Sequence, residues 1–205
     1  MSDARIGRRG LLSVAGLLVA VPAWAAQSTP QAKPRVAIQT DHGTIVVELE
    51  TGKAPITAGN FLRYVDARKY DGGTFYRASK TKGLKGAGSI QGGPPVRVRR
   101  YAPIAHESTR LTGIKHRAGT ISMARNTPGS ATCDFFICAS PQPYLDAHPG
   151  QAGDNQGFAA FGGVVQGLDI VKKILALKAD GPAPYPAMAG QMLNPPVKIL
   201  SMKRV

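Results

Sequence analysis

Few side chains in this 205-residue chain could do chemistry. The sequence shows no Ser/His/Asp or Cys/His pattern of the kind that activates a nucleophile, which weighs against hydrolases. Its four histidines have no metal-ligand spacing. Arg77 is of interest because it ends a β-rich aromatic run and precedes Gln91-Gly92-Gly93 by fourteen residues. A guanidinium in a dry pocket donates strong hydrogen bonds without any nucleophile, base or metal, although an isolated arginine is most often an ordinary surface residue.

The two cysteines, Cys133 and Cys138, are predicted to be free and buried. The residues between them have the composition of a strand. Five residues of strand separate two Cα atoms by ~16 Å, whereas a disulfide needs ~4.4 to 6.8 Å. The same separation argues against a metal site shared by the two thiols.

The elements that must position these residues are mostly short strands. Two amphipathic helices are predicted, from Ala54 to Tyr70 and from Leu168 to Leu177. The strand candidates alternate with turn residues along the chain and are Arg35 to Thr40, Thr44 to Glu50, Thr74 to Arg77, Gly119 to Ala124, Asp134 to Ala139, Phe158 to Val165 and Val197 to Met202. Many antiparallel strands with two isolated helices favour a closed barrel whose ends the helices cover.

The N-terminus has the pattern of a secretory signal peptide. Three arginines precede a twelve-residue apolar run from Gly10 to Val21, and Ala23-Trp24-Ala25 follows, so cleavage before Ala26 is predicted. Twelve residues of helix span ~18 Å, too little for a ~30 Å hydrocarbon core, and no membrane span is expected in the mature chain. The pair Arg8-Arg9 leaves both Sec and twin-arginine export open. The predicted organisation is a signal peptide (1–25), a short polar tether (26–34) and one domain (35–205).

The charge of the chain is strongly positive, at +14. Such a charge favours acidic partners but does not determine fold. The cluster Arg97-Val98-Arg99-Arg100 has no nucleic-acid-binding motif around it, so it is interpreted as a solvated loop and no nucleic acid is expected as a partner.

A set of motifs spread over residues 35–205 resembles the cyclophilins. The matching segments are Asn60-Phe61, Phe75-Tyr76-Arg77, Gln91-Gly92-Gly93, Gly119 to Ala124, Phe135-Phe136-Ile137, Tyr144-Leu145-Asp146 and Phe161-Gly162. Met123-Ala124-Arg125, Ser130-Ala131-Thr132 and the segment from Phe158 to Gly162 are most similar to the bacterial exported branch. The resemblance implies a mainly β fold, a closed eight-stranded antiparallel barrel capped by two helices. It also implies peptidyl-prolyl cis-trans isomerase activity without a cofactor or metal.

That activity must weaken the conjugation of the X-Pro amide, whose rotation barrier is ~18 to 20 kcal/mol. A guanidinium aimed at the prolyl nitrogen can draw the lone pair out of the amide as the bond twists. By resemblance, Arg77 is the catalytic residue, Gln91 orients it and contacts substrate, and Phe136 is the floor of the proline pocket. Because strand neighbours face opposite ways, one of Phe135 and Phe136 must be core.

The remaining expected substrate-binding residues surround these three. Tyr144, Leu145 and Phe158 match rim positions of the family's pocket, and Tyr144 replaces the usual Trp or Phe. The others are Ser89, Ala124, Arg125 and Asp134.

The chain also departs from the family pattern near the expected site. Gly88 and Ser89 replace a Phe and a Met of the pocket wall, which predicts a shallower or wetter pocket whose turnover rises when Phe and Met are restored. Asp134 replaces a glutamine, and its carboxylate is expected to pair with either Arg77 or Arg125. Three lysines between Lys80 and Lys85 predict a basic groove beside the site.

Two hypotheses follow for the function. The first is an exported, periplasmic isomerase that accelerates slow X-Pro steps in the folding of other exported proteins, acting as a monomer on unfolded or partly folded chains. The second is a cyclophilin-like module or chaperone that binds proline-containing or acidic peptides with weak or no turnover, as Gly88, Ser89 and Asp134 suggest.

Overall fold

The computed structural model describes residues 32–205. The predicted signal peptide and the first part of the predicted tether lie outside the described residues. Eight strands run along the described chain: β1 (Arg35–Thr40), β2 (Gly43–Leu49), β3 (Thr74–Lys80), β4 (Gly88–Gly93), β5 (Thr120–Met123), β6 (Phe135–Cys138), β7 (Ala159–Gln166) and β8 (Met192–Arg204). They form a closed antiparallel barrel in the order β1-β2-β7-β5-β6-β4-β3-β8. The predicted fold is thereby confirmed.

Three helices accompany the barrel: α1 (Pro55–Asp66), α2 (Thr109–Thr112) and α3 (Leu168–Ala176). Helix α1 ends four residues before the predicted end at Tyr70, because Arg68 adopts a left-handed conformation with φ of 52° that a helix cannot continue. Only two helices were expected, since the single turn of α2 is too short to show a helical period. No helix among residues 32–205 has the length and apolar character needed to cross a membrane.

Alternation along the strands builds the core inside the barrel. Val36 and Ile38 in β1, and Ile45 and Val47 in β2, are fully buried while the residues between them face outward. From α1, Phe61 packs against this core, with its ring 5.5 Å from that of Phe135. A side chain on the outer face of the barrel is therefore backed by a packed core.

Strand β4 has no counterpart among the predicted strands. Its sequence, GSIQGG, is half glycine and contains one β-branched residue, so it lacks the composition that marks a strand. It is nevertheless a full member of the barrel, paired with β3 on one side and β6 on the other. The tertiary pairing overrides the local propensity, and it brings Gln91 beside Arg77.

The two cysteines are buried free thiols, as predicted. Cys138 lies in the wall of the barrel at the end of β6 and is fully buried. Burial raises the pKa of its thiol to about 12, so the reactive thiolate is absent at neutral pH.

Candidate active site

A β-bulge at Tyr76 determines where Arg77 points. The pairing of β3 with β4 shifts by one residue between Phe75 and Arg77, and its pairing with β8 is also interrupted there. Phe75 and Ala78 are fully buried in the core, whereas Tyr76 and Arg77 between them are only partly buried. Without the extra residue, strict alternation would turn Arg77 into the core with Phe75. The bulge therefore places two consecutive polar side chains on the outer face of the barrel.

Two glutamines hold the guanidinium of Arg77. Its Nη1 donates to Oε1 of Gln91 at 2.9 Å. Its Nε and Nη2 both donate to Oε1 of Gln191, at 2.9 and 2.7 Å. Burial lowers the pKa of Arg77 below its ordinary value, but a guanidinium starts so high that it stays charged. Both partners are neutral, so the charge is positioned without being cancelled by a carboxylate.

A chain of polar contacts continues from Gln91 to Asp134. The Nε2 of Gln91 donates to the hydroxyl of Tyr76 at 2.8 Å, and that hydroxyl donates to Oδ1 of Asp134 at 3.3 Å. Desolvation raises the pKa of Tyr76 well above its usual value, which keeps this proton on the phenol. The amide of Gln91 is thereby fixed with its oxygen toward Arg77.

Both expectations for the partner of Asp134 are wrong. Its carboxylate lies 3.3 Å from Nη2 of Arg100, in the exposed loop after β4. Gly93 makes room for it, because a Cβ there would lie 2.2 Å from Oδ1. Arg125 is already paired with Asp154, at 2.8 Å.

The floor of the site is the ring of Phe136. Its neighbour Phe135 packs in the core, and Phe136 faces the opposite side of β6, as the alternation predicts. The ring of Phe158 meets it edge-on at 5.4 Å. On its other side the imidazole of His116 stacks against it at 5.8 Å with an angle of 13°. Phe136 is therefore an aromatic surface supported on two sides.

Loops supply the rim around this floor. Tyr144 and Leu145 lie in a 3₁₀ turn, Pro143–Leu145, and the backbone N–H of Phe158 donates to the carbonyl of Leu145 at 2.9 Å. The guanidinium of Arg125 donates to the carbonyl of Gly157 and lies 4.9 Å from the ring centre of Phe158. The side chain of Arg125 is thus used to hold the loop that carries Phe158.

These elements enclose a cavity of about 460 Å³ on the outer face of the barrel. The structure brings together on it all ten residues singled out from the sequence: Arg77, Ser89, Gln91, Ala124, Arg125, Asp134, Phe136, Tyr144, Leu145 and Phe158. Seven further lining residues were not predicted: Tyr76, Ser79, Arg100, Asn126, Ser130, Thr132 and Met188. Most belong to loops or to the bulge, where no periodic pattern identifies the exposed face.

The three lysines on which the expected basic groove depends do not line the cavity itself. Among the described residues that line the cavity are Arg77, Arg100 and Arg125, but none of the lysines at 80, 82 and 85. The ammonium of Lys80 instead donates to the carbonyl of Leu177, after α3. Arg100 is the member of the basic loop that lines the cavity, and it is paired with Asp134.

The structure leaves no room for the Phe whose restoration at position 88, together with Met at 89, is expected to raise turnover. Gly88 has a φ of +143° and is buried, and a Cβ there would lie 2.1 Å from the carbonyl oxygen of Ser79. No larger side chain fits without moving the backbone. Ser89, by contrast, lines the cavity, as does Met188 from another part of the chain.

The structure contains a Ser/His/Asp chain that the sequence did not suggest. Nδ1 of His116 lies 2.8 Å from Oδ1 of Asp146, and Nε2 lies 3.0 Å from the hydroxyl of Ser122. Ser122 is completely buried, so no substrate carbonyl can reach its oxygen. Burial lowers the pKa of His116, which keeps the imidazole neutral behind Phe136. The chain of contacts supports the floor from behind, and its burial prevents it from acting as a hydrolase triad.

A metal site has no basis in residues 32–205, where no three His, Cys, Asp or Glu side chains come together in a way that could hold an ion. The cavity therefore offers two chemical features, the positioned guanidinium of Arg77 and the aromatic ring of Phe136. Such a site can bind an apolar ring and donate hydrogen bonds beside it.

Comparison with known proteins agrees with this architecture. The family model for cyclophilin type peptidyl-prolyl cis-trans isomerase/CLD matches residues 35–204. The chain is 33% identical over 197 residues to a peptidyl-prolyl cis-trans isomerase of Acinetobacter baylyi, covering 96% of this chain and 95% of the relative. It is 34% identical over 140 residues to peptidyl-prolyl cis-trans isomerase B of Escherichia coli, covering 68% of this chain and 82% of the relative.

A solved structure supports the fold. The crystal structure of a cyclophilin type peptidyl-prolyl cis-trans isomerase from Cryptosporidium parvum superposes with a TM-score of 0.62 at 20% identity, covering 84% of this chain and 98% of the other. With the family match over almost the whole described domain, the barrel order and the motifs all in agreement, the chain belongs to the enzyme family of cyclophilin-type peptidyl-prolyl cis-trans isomerases.

Proposed function

We propose that this protein isomerises X-Pro bonds with Arg77 as the catalytic residue. The planar amide is stabilised by donation of the nitrogen lone pair into the carbonyl, and twisting the bond localises that pair on nitrogen. A guanidinium N–H directed at the prolyl nitrogen stabilises the twisted state more than the planar state. This difference lowers the barrier without any covalent step.

The observation that carries this proposal is the neutral support of Arg77. Three of its five N–H groups donate to Gln91 and Gln191, which leaves two for a substrate. Among residues 32–205, Asp134 supplies the one carboxylate on the cavity, and it is bonded to Tyr76 and paired with Arg100. A direct salt bridge to Arg77 would hold the same donors in the resting state.

The other residues take roles around this centre. Phe136, with Leu145 and Phe158 beside it, receives the proline ring, and Tyr144 packs at the rim, where its side chain is exposed. Gln91 orients Arg77 and contacts the substrate backbone. Ser89, Ala124, Arg125 and Asp134 border the bound chain on either side of the proline. No cofactor enters this scheme.

We further propose that the protein acts on exported polypeptides as a member of the bacterial exported branch. Residues 1–25 then form a signal peptide, 26–34 a tether and 35–205 the catalytic domain. Removal of the signal peptide leaves a charge of +12 on the mature chain. In the periplasm a monomer would accelerate X-Pro steps that otherwise take ~10 to 100 s in folding chains.

A second candidate is a binding module with weak turnover. The observation that favours it is the wall of the cavity at Ser89, where a small polar side chain stands in place of the family's large apolar residue. A bound proline would then lose apolar contact on that side, which weakens binding and exclusion of water.

The cis-to-trans conversion of an Ala-Pro test peptide separates the two candidates. The mature chain should accelerate conversion, and Arg77→Ala should lower kcat/KM by about 10²- to 10³-fold, as loss of one preorganised donor does elsewhere. Equal melting temperatures of the two proteins would exclude unfolding as the cause. If both proteins leave the rate at its uncatalysed value, the isomerase proposal is lost.

Export needs its own test. Expression of the full chain in a bacterial host should yield a periplasmic protein whose N-terminal residue is Ala26. Replacing Arg8 and Arg9 together with Lys distinguishes the routes, since the twin-arginine route depends on the pair. A full-length cytoplasmic product would contradict the proposed processing.

A further inference from the structure

A short segment before β8, here called the C-terminal strap, lies against the candidate active site. It comprises Tyr185–Gln191 and contains a 3₁₀ turn, Pro186–Met188. Two of its side chains reach the site: Met188 lines the cavity, and Gln191 contacts Arg77. No sequence motif pointed to either residue.

We propose that Gln191 is a positioning residue that holds Arg77 in its catalytic orientation. This inference rests on the proposed role of Arg77 and deepens it. Gln91 holds only Nη1 of the guanidinium. A single contact leaves a planar group free to rotate about that bond, whereas a second contact on another edge fixes its plane.

The geometry of Gln191 supplies that second contact. Its Oε1 accepts from Nε at 2.9 Å and from Nη2 at 2.7 Å, so one oxygen engages a whole edge of the guanidinium. Its Nε2 donates to the carbonyl of Ala187 at 3.0 Å. The opposite amide orientation would direct N–H groups at a cation and lose this bond, so the network selects the observed one.

The backbone of the strap holds Gln191 against the same strand that carries Arg77. The N–H of Ala78 donates to the carbonyl of Gln191 at 2.8 Å, one residue beyond Arg77. Within the strap, Gln191 and Met188 each donate a backbone hydrogen bond to the residue three positions before, at 3.1 and 2.9 Å. Side chain and main chain therefore place the acceptor at a fixed distance from Arg77.

Positioning predicts a specific kinetic signature. A guanidinium that is free to tilt still allows proline to bind on Phe136 but meets the prolyl nitrogen less often, so kcat falls and KM changes little. A strap that merely stabilised the fold would instead change the melting temperature, or change both constants through a disordered cavity wall.

Two substitutions of matched length test this. Gln191→Met keeps the size of the side chain and removes the acceptor, and kcat should fall about tenfold with KM within about twofold. Gln191→Glu keeps the acceptor but adds a carboxylate that pairs directly with Arg77 and holds its donors, so kcat should also fall, with KM within about twofold. Tyr185→Ala, in the same strap but 65% exposed, is the control and should leave both constants unchanged.

The outcomes separate this inference from the function on which it rests. If the wild-type chain is active and Arg77→Ala is not, but Gln191→Met matches wild type in kcat, positioning by Gln191 is wrong while the function stands. A rise in KM that exceeds the fall in kcat for Gln191→Met also overturns it. An inactive wild-type chain overturns the proposed function itself.

Discussion

Two hydrogen-bonded clusters lie on opposite sides of the ring of Phe136, and they differ in access. On the cavity side, Arg77 is held by Gln91 and Gln191 at 2.7 to 2.9 Å. On the core side, His116 is held by Asp146 and Ser122 at 2.8 and 3.0 Å. The contacts are of similar length, so geometry alone does not separate a reactive group from a structural one.

What separates them is unused hydrogen-bonding capacity that a substrate can reach. Arg77 keeps two N–H groups beside an open cavity, while both ring nitrogens of His116 have partners in the buried interior. The residue types of a protease triad are therefore inert in this position. The comparison predicts that substitutions on the cavity side change rate, and that those on the core side change stability.

The largest expected effect is on rate, from Arg77→Lys. An ammonium keeps the charge but cannot bond both glutamines and still donate in a fixed plane, so kcat/KM should fall by about 100-fold. Arg100→Lys is the matched control, because it lines the same cavity and holds only Asp134. If Arg77→Lys retains the wild-type kcat/KM in the peptide assay, catalysis does not depend on the planar arrangement of the guanidinium donors.

The next effect is on stability, from Asp146→Ala. This change leaves Nδ1 and the backbone N–H of His116 buried without their acceptor, which should lower the free energy of unfolding by about 2 kcal/mol. Urea denaturation measures it, with Asp66→Ala as control, since that exposed pair with Arg204 is worth at most about 1 kcal/mol. An unchanged unfolding free energy would remove the structural role of the core-side cluster.

Much of the fold and of the candidate site could be predicted from the sequence. Seven of the eight strands follow from their β-rich composition and from the turn residues that bound them. All ten residues singled out for the site come to one cavity, since the motifs that carry them lie on strands or adjoin them. Strand β4 was not predicted, because its glycines give it little intrinsic β-propensity.

The remaining features depend on contacts between distant parts of the chain. Gln191 meets Arg77 across 114 positions, and Asp146 meets His116 across 30. Asp134 pairs with Arg100, whereas the sequence suggested Arg77 or Arg125 as its partner. The bulge at Tyr76 determines which face of the strand Arg77 occupies, and no residue in this segment predicts a bulge.

A smaller effect is expected from Met188→Ala in the C-terminal strap. Met188 contributes an apolar side chain to the lining of the cavity, so its loss should raise KM about fivefold with little change in kcat. Leu200→Ala, which replaces an exposed residue of β8, is the control. A fall in kcat alone would show that Met188 acts through Arg77 and does not serve as pocket wall.

The smallest expected effect is that of pH. The pKa of Tyr76 is raised, so its hydroxyl stays protonated, and the pKa of His116 is lowered, so its imidazole stays neutral. Arg77 remains charged throughout. The rate should therefore be flat between about pH 7 and 9. A step in kcat within that range would mean that a group in one of the two clusters titrates during turnover.

The most direct test of the central claim observes isomerisation on the protein itself. Exchange NMR of a proline peptide, with the protein at saturating peptide, reports binding and cis-trans interconversion separately. The account predicts exchange cross-peaks with the wild-type chain, and with Arg77→Ala a similar dissociation constant but no catalysed exchange. If Arg77→Ala binds the peptide and exchanges it as fast as wild type, Arg77 is not the catalytic residue.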